Sequence, residues 1–280
     1  MEGSFKGILC PARLPTFNRV TAPASVADLV QWFWIPEWDI EAGRTSRQHL
    51  IAYPASNLVV QPADVVFSGP TTRAAHRDLT GSGWAVGALL RPAAVPLFTD
   101  DPGTLRDKES AVELMELHAA VSDAMAPACG ATVPRGATTP PTDTTHDDGT
   151  HRRRAVEAFV AWLVSLDVVL SEEALLANRM MDVIASDPEV LLLEDAATRL
   201  SVSPRTLQRL ARKYIGLSPA ALIRRRRLQD AAERTRSDPR ADLAAIAVEL
   251  GYADHAHLTN DFQKYLGFTP STYRRSAGES

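Results

Sequence analysis

Arg205, Thr206, Gln208, Arg209, Arg212 and Lys213 are what remains of the stretch Pro204–Tyr214 once its apolar positions are set aside. An arginine can hold O6 and N7 of guanine through two hydrogen bonds, and a glutamine can do the same for N6 and N7 of adenine. Such side chains on one helix are suited to reading base edges rather than to making or breaking bonds. A second stretch, His255–Leu266, leaves His255, His257, Thr259, Asn260, Gln263 and Lys264, with Asn260 the strongest base-reading candidate. Asp261 shares that stretch and would repel a phosphate, so it is expected to face away from nucleic acid.

Residues suited to other chemistry are scattered. His49, His76 and His118 show no H-x-H or His/Glu spacing that would let one strand present two metal ligands. Cys10 and Cys129 form no CxxC pair, which favours neither a metal site nor a structural disulfide. The same scarcity argues against an alkylation-repair protein, which needs a cysteine cluster. No catalytic constellation, metal or cofactor is expected, and the chain is read as a non-enzyme.

The elements that must position the two polar stretches repeat. Leu193, Ala197, Leu200 and Val202 recur as Leu243, Ala247, Leu250 and Tyr252, fifty residues on. From Ser203, Leu207, Tyr214, Gly216, Leu217, Ser218 and Pro219 the offset becomes fifty-one, giving Asp254, Leu258, Tyr265, Gly267, Phe268, Thr269 and Pro270. Each copy reads as a short helix, a tight turn and a second helix, then a Ser/Thr-Pro that opens another. Ala197 and Ala247 are small enough for the paired helices to cross closely. Ser203, counted with the candidate interface residues, and Asp254 are good N-caps, and Pro204 occupies a first helical position where its missing N–H is harmless. Two helix-turn-helix units joined by a helix can touch two segments of major groove.

Charge divides in the same place. Up to Glu189 there are 15 basic and 24 acidic residues, a net of −9; beyond it there are 15 and 10, a net of +5, which together give the −4 of the whole chain. A basic module is fused to an acidic one, the footprint expected of a nucleic-acid-binding domain. The run Arg224, Arg225, Arg226, Arg227 points around its helix, so one or two members are expected against phosphate or an acidic partner and the rest in solvent.

The segments "LSVSPRTLQRLARKYIGLSPAALIRRRRLQDA" and "LAAIAVELGYADHAHLTNDFQKYLGFTPSTYRR" resemble the DNA-binding domain of the AraC/XylS family of bacterial transcription regulators, over roughly 85 residues from Leu191 to Arg275. The resemblance implies a central helix holding the units apart, with recognition helices entering successive major grooves roughly 34 Å apart. It places Arg205, Gln208 and Arg209 towards base edges in the first unit, and Ala256, His257 and Asn260 in the second. Many relatives carry Arg where Asn260 stands, which implies weaker reading by the second unit. RNA polymerase as a partner is implied by the resemblance alone.

The first hundred residues carry short β-like runs: Leu29–Ile35, Gln48–Tyr53, Leu58–Gln61, Val65–Phe67, Ala74–Leu79 and Trp84–Leu90. A helix is expected from Leu105 to Met125, and two more over Arg152–Val169 and Ser171–Ser186. The amino-terminal part, through "QWFWIPEW", "YPASNLVV" and "VGALLRPAAVPLF", resembles the sensor-like domain of some of these regulators, which implies a cupin-like barrel that binds a small effector or serves dimerisation. Trp32, Trp34, Arg47, His49, Tyr53 and Trp84 are candidate effector residues. Trp32 and Trp34 share one face and Gln31 and Phe33 the other, so only one pair can point inward.

The fold class expected is α+β and multidomain. Residues 1–125 form a β-rich, barrel-like domain, 126–151 a Pro/Thr/Gly/Asp-rich linker, 152–189 a helical connector, and 190–275 an all-α domain with two helix-turn-helix units. The start of the chain lacks the pattern of a signal peptide, and no stretch approaches the length of a membrane span. A cytoplasmic DNA-binding regulator is expected, with double-stranded DNA, a small effector and a second protomer as candidate partners and no membrane. The alternatives are a constitutive regulator whose first domain only dimerises, and a small β-barrel enzyme fused to a DNA-binding module.

Overall fold

Val30, Trp32, Phe33, Trp34 and Ile35 are branched or aromatic residues suited to a pleated, half-buried surface, and they open the longest strand. In the computed structural model, which describes residues 17–50, 53–126, 149–238 and 240–278, nine strands precede or flank a helical second half. The strands are β1 (Phe17–Thr21), β2 (Val30–Asp39), β3 (Ser46–Leu50), β4 (Asn57–Val60), β5 (Val65–Ser68), β6 (Ala75–Leu79), β7 (Ser82–Trp84), β8 (Val86–Leu90) and β9 (Glu109–Ala111). Seven form an antiparallel sheet in the order β1-β2-β8-β4-β5-β9, with β7 on the far end of β2; β3 and β6 pair apart from it. Among the described residues no ladder joins β1 to β9.

Two helices cover one face of this sheet: α1 (Met115–Met125) and α2 (Thr150–Ser165). Phe33 meets Phe159 of α2 edge to face at 5.4 Å, and Ile35, Leu58, Phe67, Leu117 and Leu163 complete the core around them. A register shift between Val30 and Trp32 lets Val30 and Phe33, three residues apart, both enter this core. Strand alternation then sends Trp32 and Trp34 to the opposite face.

Seven further helices are described: α3 (Glu172–Ser186), α4 (Leu193–Arg199), α5 (Pro204–Tyr214), α6 (Pro219–Ser237), α7 (Leu243–Glu249), α8 (His255–Leu266) and α9 (Pro270–Gly278). Each has its start written locally. Hydroxyls of Ser171, Ser203 and Ser218 accept from the amides of Ala174, Thr206 and Ala221, and Asp242 and Asp254 do the same for Ala244 and His257. A cap of this kind is worth about 1 kcal/mol.

Helix α3 packs its Ala177, Met180 and Ile184 against Leu207, Leu210 and Tyr214 of α5, forming a second core. A third gathers Leu228, Ala231 and Ala232 of α6 with Ile246, Ala247, Leu258, Phe262 and Tyr273. Helix α6 belongs to both, because Leu222 and Ile223 at its start lie in the second core. The stretch read as one connector therefore divides: α2 completes the sheet domain, and α3 completes the first helix-turn-helix unit.

The expected elements shift at their edges. The run Trp84–Leu90 divides into β7 and β8, and the helix expected from Leu105 begins only at Met115, after β9. Cys10, Cys129 and residues 127–148 of the expected linker lie outside the described residues.

Candidate nucleic-acid interface

The two units superpose in chemistry as well as in order. At the turn of the first, Val202 N–H donates to Ala197 O at 3.0 Å; at the turn of the second, Tyr252 N–H donates to Ala247 O at 2.9 Å. Both turns need a positive φ, 54° at Ser201 and 73° at Gly251. Ala197 and Ala247 are buried at the helix crossings, as their size suggests.

On α5, Leu207, Leu210, Ala211 and Tyr214 turn inward, leaving Arg205, Gln208, Arg209, Arg212 and Lys213 exposed and Thr206 half-buried. Ser203, Arg205, Thr206, Gln208, Arg209 and Arg212 line one open depression. All are residues singled out from the sequence. One neighbour was not: Glu173 at the start of α3 accepts from Arg209 Nη1 at 2.6 Å, Lys213 Nζ at 2.6 Å and Tyr214 Oη at 3.2 Å. Hydrogen bonds from Lys213 and then Arg209 hold its carboxyl down at about 2, and Lys213 is raised in return, chiefly by Glu173. Thirty-six residues separate Glu173 from Arg209, so no local spacing could have announced the pair.

On α8, His255, Asn260, Gln263 and Lys264 are exposed, while His257 and Thr259 are half-buried. Asp261 faces away from this surface, as its charge suggested. It is fully buried, and Arg224 of α6 donates to both its carboxylate oxygens at 2.6 and 2.5 Å. The same guanidinium reaches His257 Nε2 at 3.0 Å. Asp261 and the Tyr265 and Tyr252 rings raise Arg224 against the opposing effect of its partial burial.

Two members of the arginine run meet acidic partners as expected, Arg224 with Asp261 and Arg226 with Asp230, but the rest are not all left in solvent. Arg225 and Arg226 are only 3% and 5% exposed. Arg225 lies 5.2 Å from the Tyr265 ring, and desolvation lowers it to about 10. Arg226 donates to Asp230 at 2.8 Å and to Val190 O at 2.7 Å, so it ties α6 back to the segment before α4. Arg227 sits 4.7 Å from the Tyr252 ring. The middle of the run, Arg225 and Arg226, is packing rather than a solvated face, because Tyr265 and Val190 come to it from other elements.

Of the candidate effector residues, Trp32 and Tyr53 come together, while Trp34, Trp84 and Arg47 lie elsewhere on the sheets. Trp32 and Tyr53 meet edge to face at 5.7 Å, with the Arg19 guanidinium 3.5 Å from the Trp32 ring. Burial pushes the Tyr53 hydroxyl up to about 12. Trp34 donates to Asn57 at 3.0 Å and lies against Gly87, where any side chain would collide with it. Trp84 packs at the edge of the sheet core, and Arg47 is paired with Asp78 on the surface. His49 lies in β3, but its side chain is outside the described residues. A cleft of about 50 Å³ sits instead where the sheet domain meets α3 and α5, bordered by Gln31, Tyr53, Ser56, Arg91, Asp182 and Tyr214 among others.

A family model described as a helix-turn-helix domain matches residues 196–276, and one described as a domain of unknown function matches residues 18–109. The HTH-type transcriptional regulator VirS of Mycobacterium tuberculosis is 34% identical over 137 residues, 48% of this chain and 38% of that protein. A putative AraC-like transcription regulator of Streptomyces antibioticus is 30% identical over 127 residues, 45% of this chain and 39% of that protein. Over residues 196–276 the chain carries a helix-turn-helix domain similar to those of AraC-like transcription regulators.

The chain spans well under half the length of these two curated relatives. The activator AarP of Providencia stuartii is 33% identical over 86 residues, 31% of this chain and 63% of that protein. Among solved structures, ToxT from Vibrio cholerae aligns over 93% of this chain and 97% of its own at 10% identity and a TM-score of 0.40. An AraC-type regulator from Chromobacterium violaceum aligns over 36% and 89% at 22% identity and a TM-score of 0.33. Among the described residues no helix is long and apolar enough to cross a membrane.

Proposed function

We propose that the protein is a sequence-specific DNA-binding regulator of transcription, with α5 and α8 presented to successive segments of major groove. The open face of α5 carries this reading: Arg205, Gln208, Arg209 and Arg212 stand exposed on one depression, on a helix whose other side is locked into a core. In the second unit His255, Thr259, Asn260, Gln263 and Lys264 hold the corresponding surface, with Ser203 and Thr206 at the start of the first. Phosphate contacts by lysine and arginine supply affinity, and base-edge contacts supply sequence preference. RNA polymerase is the expected protein partner of such a regulator.

Control by a small molecule would act through the junction between the sheet domain and the DNA-binding units, since a ligand shifts only what it binds unequally in two arrangements. The junction is extensive: Asn178 of α3 bonds to the backbone of Asp28 and Ala93, Arg91 pairs with Asp182, and Ala74 N–H donates to Lys264 O at the end of α8. A second reading, in which the first domain serves only to hold the units or a second protomer, is favoured by the size of the cleft. At about 50 Å³ it is smaller than the cavities that enclose small organic ligands.

The test is selection from genomic DNA with the purified full-length chain, followed by titration of the recovered site against salt. Two short boxes about one helical turn apart, bound less tightly as salt rises, are the expected result. Enrichment of no sequence overturns the reading.

A further inference from the structure

Thr206 lines the open face of the first unit, and the repeat puts His257 at the matching place in the second. His257 is held from three sides. Its backbone N–H donates to the capping Asp254 at 2.7 Å, its ring meets Tyr252 edge to face at 5.3 Å, and Arg224 Nη2 stands 3.0 Å from its Nε2. A guanidinium has donors and no acceptor. Nε2 is therefore the acceptor in this contact, and the ring proton of the neutral imidazole sits on Nδ1.

Resting on the reading of α8 as a DNA-facing helix, we propose that Arg224 is a positioning residue for base recognition: anchored on Asp261, it presents His257 to the major groove as a fixed Nδ1–H donor. Asp261 supplies the anchor. Because its carboxylate is fully buried and takes two donors from Arg224, the guanidinium plane is set before DNA arrives, and a further donor is left for the imidazole. Without Arg224 the ring could take either tautomer and present an acceptor or a donor.

The consequence is a rule for the base beneath His257. A fixed donor suits N7 and O6 of guanine, N7 of adenine or O4 of thymine, and it meets N4 of cytosine donor to donor. Arg224 shapes that preference from behind the helix, without touching the base.

The experiment uses the full-length chain labelled with ¹⁵N-histidine, with His257 assigned by its loss in His257→Gln. Long-range proton–nitrogen correlations at a pH where histidines are neutral should show the Nδ1–H tautomer; an Nε2–H pattern overturns the proposal. Two variants then release the ring. Arg224→Met combined with Asp261→Leu replaces the buried pair with apolar groups of similar size and leaves no orphaned charge. Arg224→Lys keeps an ion pair but offers a point charge in place of the fork. In whichever of these melts as the parent does, the tautomer should become mixed, and preference at one base pair of the second box should fall roughly 3- to 10-fold, the worth of one hydrogen bond. Retention of that preference with a released ring overturns the positioning role.

The wider reading fails separately. If the parent chain selects a site but His257→Gln leaves every base preference intact, this inference falls and DNA binding stands. If the parent chain selects no site, the regulator reading falls, and the tautomer result still decides whether Arg224 orients His257.

Discussion

Glu173 stands 2.6 Å from Arg209, so an acid on the helix before the first unit is bound to a cation on that unit's recognition helix. The second unit uses the opposite polarity: Arg224, on the helix before it, is bound to Asp261 on its recognition helix. Both pairings fasten a recognition helix to the element behind it, yet they leave different surfaces. The first removes charge from the face offered to DNA, because Arg209 and Lys213 are both engaged. The second hides an acid that would otherwise repel phosphate. The two units are repeats in backbone and caps, and differ in how their electrostatics are managed.

Replacing Glu173 by Gln should therefore strengthen DNA binding. The change frees Arg209 and Lys213 and removes a carboxylate beside the groove face, which is expected to raise affinity roughly 3- to 10-fold at low salt, with the gain shrinking as salt rises. Fluorescence anisotropy on the selected site and on random DNA would measure it. An unchanged affinity at low salt would mean that Glu173 swings clear of the interface when DNA binds.

Arg209→Ala should cost about 1–3 kcal/mol on the selected site and relax the preference at one base pair. Equal losses on selected and random DNA would make Arg209 a phosphate contact instead. Combined with Glu173→Gln in a double-mutant cycle, the two effects should not add, because the residues are in direct contact.

Glu173 also predicts an acid transition. Its carboxyl is held at about 2, below its ordinary value, so its ion pairs stabilise the fold fully above the ordinary carboxylate range. That stabilisation is lost as pH falls from about 4.5 through about 2. The thermal midpoint of the parent chain should exceed that of Glu173→Gln at neutral pH, and the gap should close across this window. Side-chain exposure of 30% makes the gap small and salt-sensitive. A gap that persists below the window would assign the difference to packing.

How much was legible in the chain follows from how far apart the partners lie. Ser203, Ser218 and Asp254 cap helices through amides three residues on, so the starts of α5, α6 and α8 could be read directly. The crossing alanines and the matched turn positions were equally local, and their repetition exposed the two units. Arg225 and Arg226 look like solvated charge in sequence because Tyr265, Pro188 and Val190 come from distant segments. The split of α2 from α3 was hidden for the same reason. Both are amphipathic, and only the fold shows which core each stripe meets.

The turns allow a paired test. Gly251 has a φ of 73°, and a Cβ there would lie 3.2 Å from Arg227 Nη2. Gly251→Ala should cost about 1–2 kcal/mol from backbone conformation alone. Ser201 occupies the equivalent turn at 54° with a side chain already present. Ser201→Gly relieves that strain but adds freedom to the unfolded chain, so the net gain should stay below about 1 kcal/mol. Chemical denaturation of both variants measures the pair, and a stabilising Gly251→Ala would contradict the account.

Asn178 should decide whether the sheet domain and the DNA-binding units behave as one body. Its side chain, 2% exposed, accepts from Ala93 N–H and donates to Asp28 O, both at 2.9 Å. Leucine has the same branched outline, though it is larger, and can satisfy neither backbone group, so Asn178→Leu leaves a buried donor and a buried acceptor without partners, at about 1–3 kcal/mol each. The loss falls on the junction, where Ala93 of the sheet domain meets the second core. Unfolding of the variant should therefore separate into two transitions, and limited proteolysis should cut between the sheet domain and α3 sooner than in the parent chain. A single transition at the parent midpoint would show that Arg91–Asp182 and the Ala74–Lys264 hydrogen bond are enough to hold the two parts together without Asn178.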